Sequence, residues 1–227
     1  MIDIVNKILK VFDENHLWDE GIELVGSWCF LLYTIHFGVK QYPFRTTDID
    51  FLIPNPFKAK NKVDIVGLLE QLGYRTAFNS DGSIYLWNPE LKIEFITAEK
   101  GRGGEKAIDI KNLSLKAIPL RYTNILFDDP VSVTEDGINV RIPHPAAFAL
   151  HKLLICEKRK NKEKKAKDIE QALLVLDAIN MDDVVKIYSG FPVPWKKSII
   201  NTLKKSEKDL FLYKQIIQKA LSTLQFL

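Results

Sequence analysis

The sequence predicts an α+β domain over residues 1–142 followed by a helical domain over residues 143–227. Three observations carry that reading. Short alternating runs such as Asp48–Ile53 and Leu91–Ile96 lie between Gly, Pro and Asn turn signals, the pattern of half-buried strands. Runs at helical spacing are interleaved with them. At Pro143-His144-Pro145 the strand signals stop, and apolar stripes of helical period take over, as expected of a second layer type with its own core.

Ile4, Ile8, Leu9 and Phe12 recur at helical spacing and predict a helix over residues 3–18. Gly21–Val25 reads as a short strand that stops at Gly26-Ser27, and an apolar helix follows from Trp28 to about Phe37, broken by Gly38. A loop through Tyr42-Pro43 leads to the strand Asp48–Ile53, which Pro54 and Pro56 end because proline cannot donate to a ladder. Val63, Val66, Leu69 and Leu72 predict a helix over Lys62–Leu72, closed by Gly73. Tyr74–Phe78 and Ser83–Trp87 flank Asn79-Ser80-Asp81-Gly82, a hairpin signature. After the Asn88-Pro89-Glu90 turn comes the strand Leu91–Ile96 and then a glycine-rich, charged loop from Lys100 to Lys106. Asn124–Ile142 reads as short strands around Asp136-Gly137. In the helical part, Leu150, Leu153 and Leu154 form one stripe and Ile169, Leu173 and Leu176 the next. Two further helices are expected near residues 195–204 and 207–224.

Composition narrows the function classes. The chain has 227 residues, 46% hydrophobic and 27% charged, with a net charge of +3. It is therefore an ordinary globular composition and no polyelectrolyte binder as a whole, so a nucleic-acid partner would act through local basic clusters. The densest is Lys158-Arg159-Lys160 with Lys162, Lys164, Lys165 and Lys167, which reads either as a phosphate-backbone contact or as a solvated helix–helix loop. Cys29 and Cys156 sit in apolar helical contexts as reduced core residues, and no zinc-type Cys/His spacing occurs. The start Met1-Ile2-Asp3-Ile4 shows no leader pattern, and the longest apolar run, Cys29–Tyr33, is too short for a bilayer. A cytoplasmic protein with no membrane partner is expected. His36, His144 and His151 are scattered without a catalytic pairing, and Trp28, Tyr85 and Trp87 read as core aromatics.

The chemistry centres on the stretch Arg45-Thr46-Thr47-Asp48-Ile49-Asp50-Phe51. Residues i and i+2 of a strand share a face, so Asp48 and Asp50 project side by side while Ile49 and Phe51 go to the other. Adjacent carboxylates repel unless a proton or cation sits between them. A hard divalent cation such as Mg²⁺ resolves this and favours phosphate chemistry; two solvent-facing residues on a half-exposed strand is the other reading. Gly26-Ser27 ends a strand and opens a helix, where exposed N–H groups make an anion site and glycine permits close approach. Glu94, between Ile93 and Phe95, shares a strand face with Lys92. It could join Asp48 and Asp50 as a third carboxylate holding two Mg²⁺ about 3.5–4 Å apart, or simply pair with Lys92.

Together, Gly26-Ser27, Thr47-Asp48-Ile49-Asp50-Phe51 and Glu94 resemble the DNA polymerase β-type nucleotidyltransferase superfamily. The Arg45–Asp50 form is similar to its minimal AbiEii-like, toxin-type branch, and Pro143-His144-Pro145 with Lys152, then Lys167-Asp168, is similar to the helices that follow the sheet there. The resemblance covers roughly residues 20–180. It departs from the family in a gap of about twenty residues between Ser27 and Asp48, in Glu for the usual third Asp, and in Gly-Ser for Gly-Gly. It implies a polymerase β-like mixed sheet with flanking helices and Mg²⁺-dependent transfer of a nucleoside monophosphate from an NTP to a hydroxyl. Asp48, Asp50 and Glu94 would bind the metals. Gly26, Ser27, Arg45, Lys152 and Lys167 would bind the nucleotide, with Arg45 alternatively pairing with Asp48. The acceptor hydroxyl stands open among an RNA end, a protein side chain and a small molecule. The implied partners are NTP and an antitoxin protein, and the Lys158–Lys167 run adds an RNA acceptor such as tRNA. A catalytically silent nucleotide-binding module on the same fold is the alternative, and metal-dependent phosphoester hydrolysis a third class.

Overall fold

The computed structural model describes residues 3–43, 46–99 and 106–227. By its internal contacts the chain divides into two compact units. The first comprises residues 1–29, 44–124 and 130–143, and the second residues 30–43, 125–129 and 144–227.

The first unit opens with α1 (Asp3–Glu14), whose Val5, Ile8, Leu9 and Phe12 form one fully buried stripe. Strand β1 (Glu23–Val25) leads directly into α2 (Gly26–His36), of which Gly26–Cys29 count with this unit. The sheet is built from β1, β2 (Asp48–Ile53), β3 (Arg75–Phe78), β4 (Ile84–Trp87), β5 (Lys92–Ala98), β6 (Ile108–Ile110) and β7 (Leu115–Leu120). Its order is β1-β2-β5-β4-β3, with β7 beside the far end of β5 and β6 beside β7. β2 and β5 run parallel at the centre, while β1 and β4 flank them antiparallel. The sheet is thus mixed, as expected. A separate hairpin, β8 (Val131–Glu135) with β9 (Ile138–Ile142), turns at Asp136-Gly137.

One face of the sheet is core. Ile49, Phe51, Ile93, Phe95 and Leu86 are buried there, and Phe12 of α1 stacks on Phe51 with ring centroids 3.9 Å apart. Alternation along β2 and β5 then forces the intervening residues onto the opposite face.

The second unit is helical: the rest of α2, then α4 (Pro145–Ile155), α5 (Lys162–Ala178), α6 (Met181–Ser189), α7 (Val193–Asp209) and α8 (Lys214–Leu224). His144 caps α4 by accepting the Ala146 N–H at Nδ1, and Pro145 occupies its first turn, where a missing N–H costs nothing. Asn161 and Asn180 cap α5 and α6 in the same way. No described helix is long and apolar enough to cross a membrane.

Several boundaries differ from expectation. The helix expected over Lys62–Leu72 is only α3 (Ile65–Gln71). Val63 N–H is bound to the Asn112 carbonyl at 2.8 Å and the Asp64 carboxylate caps the helix at Gly67, so the chain cannot be helical earlier. Strands β6 and β7 and helix α6 add to the expected elements; β6 has only three residues, but β7 is as long as β2, and α6 buries Met181, Val184, Ile187 and Tyr188 at helical spacing. Residues 123–127 form a 3₁₀ turn rather than strand. Trp28 is buried, but Trp87 is 40% exposed on the open sheet face, not a core aromatic. Cys29 and Cys156 are free and buried. Of the expected Lys100–Lys106 loop, residues 100–105 lie outside the described residues.

Candidate active site

The open face of the central strands is where the chemistry gathers. Asp48 and Asp50 leave β2 on that face, both half-buried, while Ile49 and Phe51 fill the core. The backbone entering the strand is held by three contacts. Thr46 Oγ1 exchanges hydrogen bonds with the Asp48 amide and carbonyl, Trp28 Nε1 donates to the same carbonyl at 3.1 Å, and Lys92 N–H donates to the Thr47 carbonyl at 2.7 Å.

The antiparallel register sets Val25 opposite Asp50, so the turn into α2 begins directly beside that carboxylate. Gly26 has φ +73°, and a Cβ there would collide with Asp50 Oδ2. Only glycine therefore combines this left-handed backbone with so close an approach. The first turn of α2 carries no acidic residue, and the half-buried Ser27 follows Gly26 directly beside Asp50.

The parallel register then places Glu94 opposite Asp50, and Lys92 opposite Asp48. Four charged side chains thus share one patch of the sheet, with Tyr85 and Trp87 of β4 next in the same rows. Within this patch Lys92 Nζ donates to Glu94 Oε1 at 2.5 Å and lies over the Tyr85 ring, 4.3 Å from its centroid. Partial burial pulls the Lys92 ammonium pKa down, but its hydrogen bond to Glu94 and the charges of Glu94, Asp48 and Tyr85 outweigh it and leave the pKa raised.

Comparison with known proteins gives the family and the fold. The family model described as Nucleotidyltransferase matches residues 3–186. This chain belongs to the nucleotidyltransferase family. A nucleotidyltransferase-like antigenic protein from Paracoccidioides brasiliensis has the same fold, with TM-score 0.54, 10% identity, and coverage of 95% of this chain and 92% of that one. The antibiotic-resistance factor ANT(2'')-Ia aligns with TM-score 0.46 and 14% identity over 83% of this chain and 89% of its own. A search of curated proteins finds no match.

Nucleotidyltransferases use divalent metal ions, and the donors on this face are hard oxygens suited to them. Asp48 and Asp50 fit as a ligand pair. The third place is different: among the described residues no three His, Cys, Asp or Glu side chains gather in a metal-holding group, and Glu94 is bonded to Lys92. The sequence left pairing with Lys92 as one reading of Glu94 and membership of the carboxylate group as the other. The structure shows the first: Glu94 bonds Lys92, and although the register sets it opposite Asp50, no three-carboxylate group forms among the described residues.

The remaining sequence candidates are Arg45, Lys152 and Lys167. Arg45 falls outside the described residues. Lys152 belongs to the second unit, where its ammonium bonds Asp168 Oδ1 at 2.5 Å and Arg159 Nε bonds the other oxygen at 2.7 Å. Both Lys152 and Asp168 are buried. The ammonium expected to reach a triphosphate is thus engaged by a carboxylate inside the helical core. Lys167 is half-buried on α5.

Proposed function

We propose that this enzyme transfers a nucleoside monophosphate from an NTP to a hydroxyl acceptor with release of pyrophosphate, in an Mg²⁺-dependent reaction. The observation that carries the reading is the juxtaposition of Asp50 with Gly26: an acidic pair and a helix N-terminus side by side on one sheet face. Asp48 and Asp50 would hold the metal, and Glu94 would complete the set once released from Lys92. Mg²⁺, when bound, neutralises nucleotide phosphates and activates the attacking oxygen. The amides of Gly26 and Ser27 hold the triphosphate against the sheet. Glu94, whose strand position pairs with Asp50, would take the hydroxyl proton.

The acceptor reading is RNA. The basic run from Lys158 to Lys167 spans a 3₁₀ turn and the start of α5, and Lys158, Lys160, Lys162 and Lys164 are all exposed, as contact with a phosphate backbone requires. The AbiEii-like branch, with a toxin or defence role and an antitoxin partner, rests on the Arg45–Asp50 resemblance. The silent-module alternative draws on one observation, the Lys92–Glu94 pair that occupies the third carboxylate.

The test is incubation of the protein with Mg²⁺ and each α-labelled NTP, alone and with total tRNA. Label appearing on an acceptor with stoichiometric pyrophosphate, and lost in Asp48→Asn/Asp50→Asn, is the expected result. Tight Mg²⁺-NTP binding with no label transferred to any acceptor would favour the silent module.

A further inference from the structure

We propose that Lys92 is a resident counter-ion of the carboxylate face, which a divalent cation must displace before Glu94 can serve the site. The inference rests on the metal-binding reading of Asp48 and Asp50. It starts from the register, which sets Lys92 beside Asp48 and Glu94 beside Asp50 on two central strands. Carboxylates at neighbouring positions of one sheet face repel one another in the absence of a cation. The chain supplies its own: the Lys92 ammonium bonds Glu94, is within the field of Asp48, and is steadied over the Tyr85 ring.

The pair is also suited to exchange. The Lys92 and Glu94 side chains remain 31% and 22% exposed, so water can take over each charge as the pair opens, and such pairs are individually weak. A doubly charged ion between carboxylates binds them more strongly than one ammonium does, whereas the ammonium opposes its arrival. Lys92 therefore holds the empty enzyme's face together and weakens its affinity for bare metal. It also keeps Glu94 from acting until metal or metal–nucleotide arrives. Lys92 is a positioning residue in this role and touches no reacting atom.

The experiment is titration of Mn²⁺, without nucleotide, into the full chain, followed by electron paramagnetic resonance of the free ion. Wild type, Lys92→Met, Lys92→Arg, Lys92→Met/Glu94→Gln and Asp48→Asn/Asp50→Asn are compared, each checked for a cooperative thermal transition. Expected is roughly tenfold tighter binding in Lys92→Met, wild-type affinity in Lys92→Arg, and loss of the gain in Lys92→Met/Glu94→Gln. Binding that depends on Asp48 and Asp50 but is unchanged or weaker in Lys92→Met overturns the inference and leaves the metal reading standing. Equal tightening in Lys92→Met and Lys92→Arg overturns it too, since charge would not be the cause. Absence of Mn²⁺ binding in both wild type and Lys92→Met overturns both.

Discussion

Two lysine–carboxylate pairs of the same length sit in this protein, and they do opposite jobs. Lys92–Glu94 and Lys152–Asp168 are each joined at 2.5 Å. The first lies on an open sheet face with its side chains 31% and 22% exposed, beside two further carboxylates. The second is 10% and 4% exposed, and Arg159 fills the other oxygen of Asp168. Water can replace either partner of the first pair, so that pair can open for a ligand. Nothing comparable can replace Asp168, because losing it would strand a buried ammonium. Hydrogen-bond length thus says little about function. Burial and the number of partners decide whether an ion pair is a fastening or a latch.

The comparison breaks most readily at Asp168. Asp168→Ala is expected to cost about 3–5 kcal/mol by leaving Lys152 uncompensated in the helical core, read as a fall in the urea midpoint. A cost below about 1 kcal/mol would place that pair with the surface ones.

The two units also differ in pH response. Burial, with Arg141 as partial counterweight, pushes the Glu23 carboxyl up to about 8. The folded state then holds a proton that the unfolded chain releases near 4.5, so stability present below that pH is lost as pH rises towards 8, by up to about 1.4 kcal/mol per unit. Burial, helped by the charges of Lys152 and Arg159 and opposed by Asp168, lowers His151 to about 3. There the unfolded chain binds the proton first, and stability is lost as pH falls from 6.5 towards 3. Urea midpoints against pH should show Glu23→Gln flattening the alkaline fall and His151→Gln the acid one. Unchanged profiles in either variant would remove that group from the account.

On the open face, Gly26→Ala is expected to cost about 1–3 kcal/mol for the left-handed backbone alone. The new methyl would also push against Asp50, so nucleotide binding should weaken in the same variant. Retained binding would separate Gly26 from the phosphate site. The smallest effect is that of Lys92→Met, below about 1 kcal/mol in stability.

Much of this face was legible from the sequence. The period-two alternation through Asp48, Asp50 and Glu94 assigned all three to strands, and the parallel pairing of β2 and β5 sets Glu94 opposite Asp50. The strand–turn–helix at Gly26-Ser27 was readable for the same reason, since glycine marks the position where a side chain cannot fit. What stayed hidden depends on long-range packing. Lys152 carries the same charge as a phosphate-binding lysine, and only the approach of Asp168, sixteen residues away, commits it to the core. Trp87 looked like core because aromatic residues usually are, but its place in the Lys92 row puts it on the open face. β6, three residues long, is too short for periodicity to reveal, whereas α6 carries a helical stripe of Met181, Val184, Ile187 and Tyr188 that was there to be read.

The most direct measurement is calorimetric titration of NTP into the protein, with and without Mg²⁺, and into Asp48→Asn/Asp50→Asn. Binding that requires Mg²⁺ and disappears in the variant, with its thermal stability retained, is the expected result. Binding indifferent to Mg²⁺ or to the two aspartates would contradict the assignment of this face as the nucleotide site.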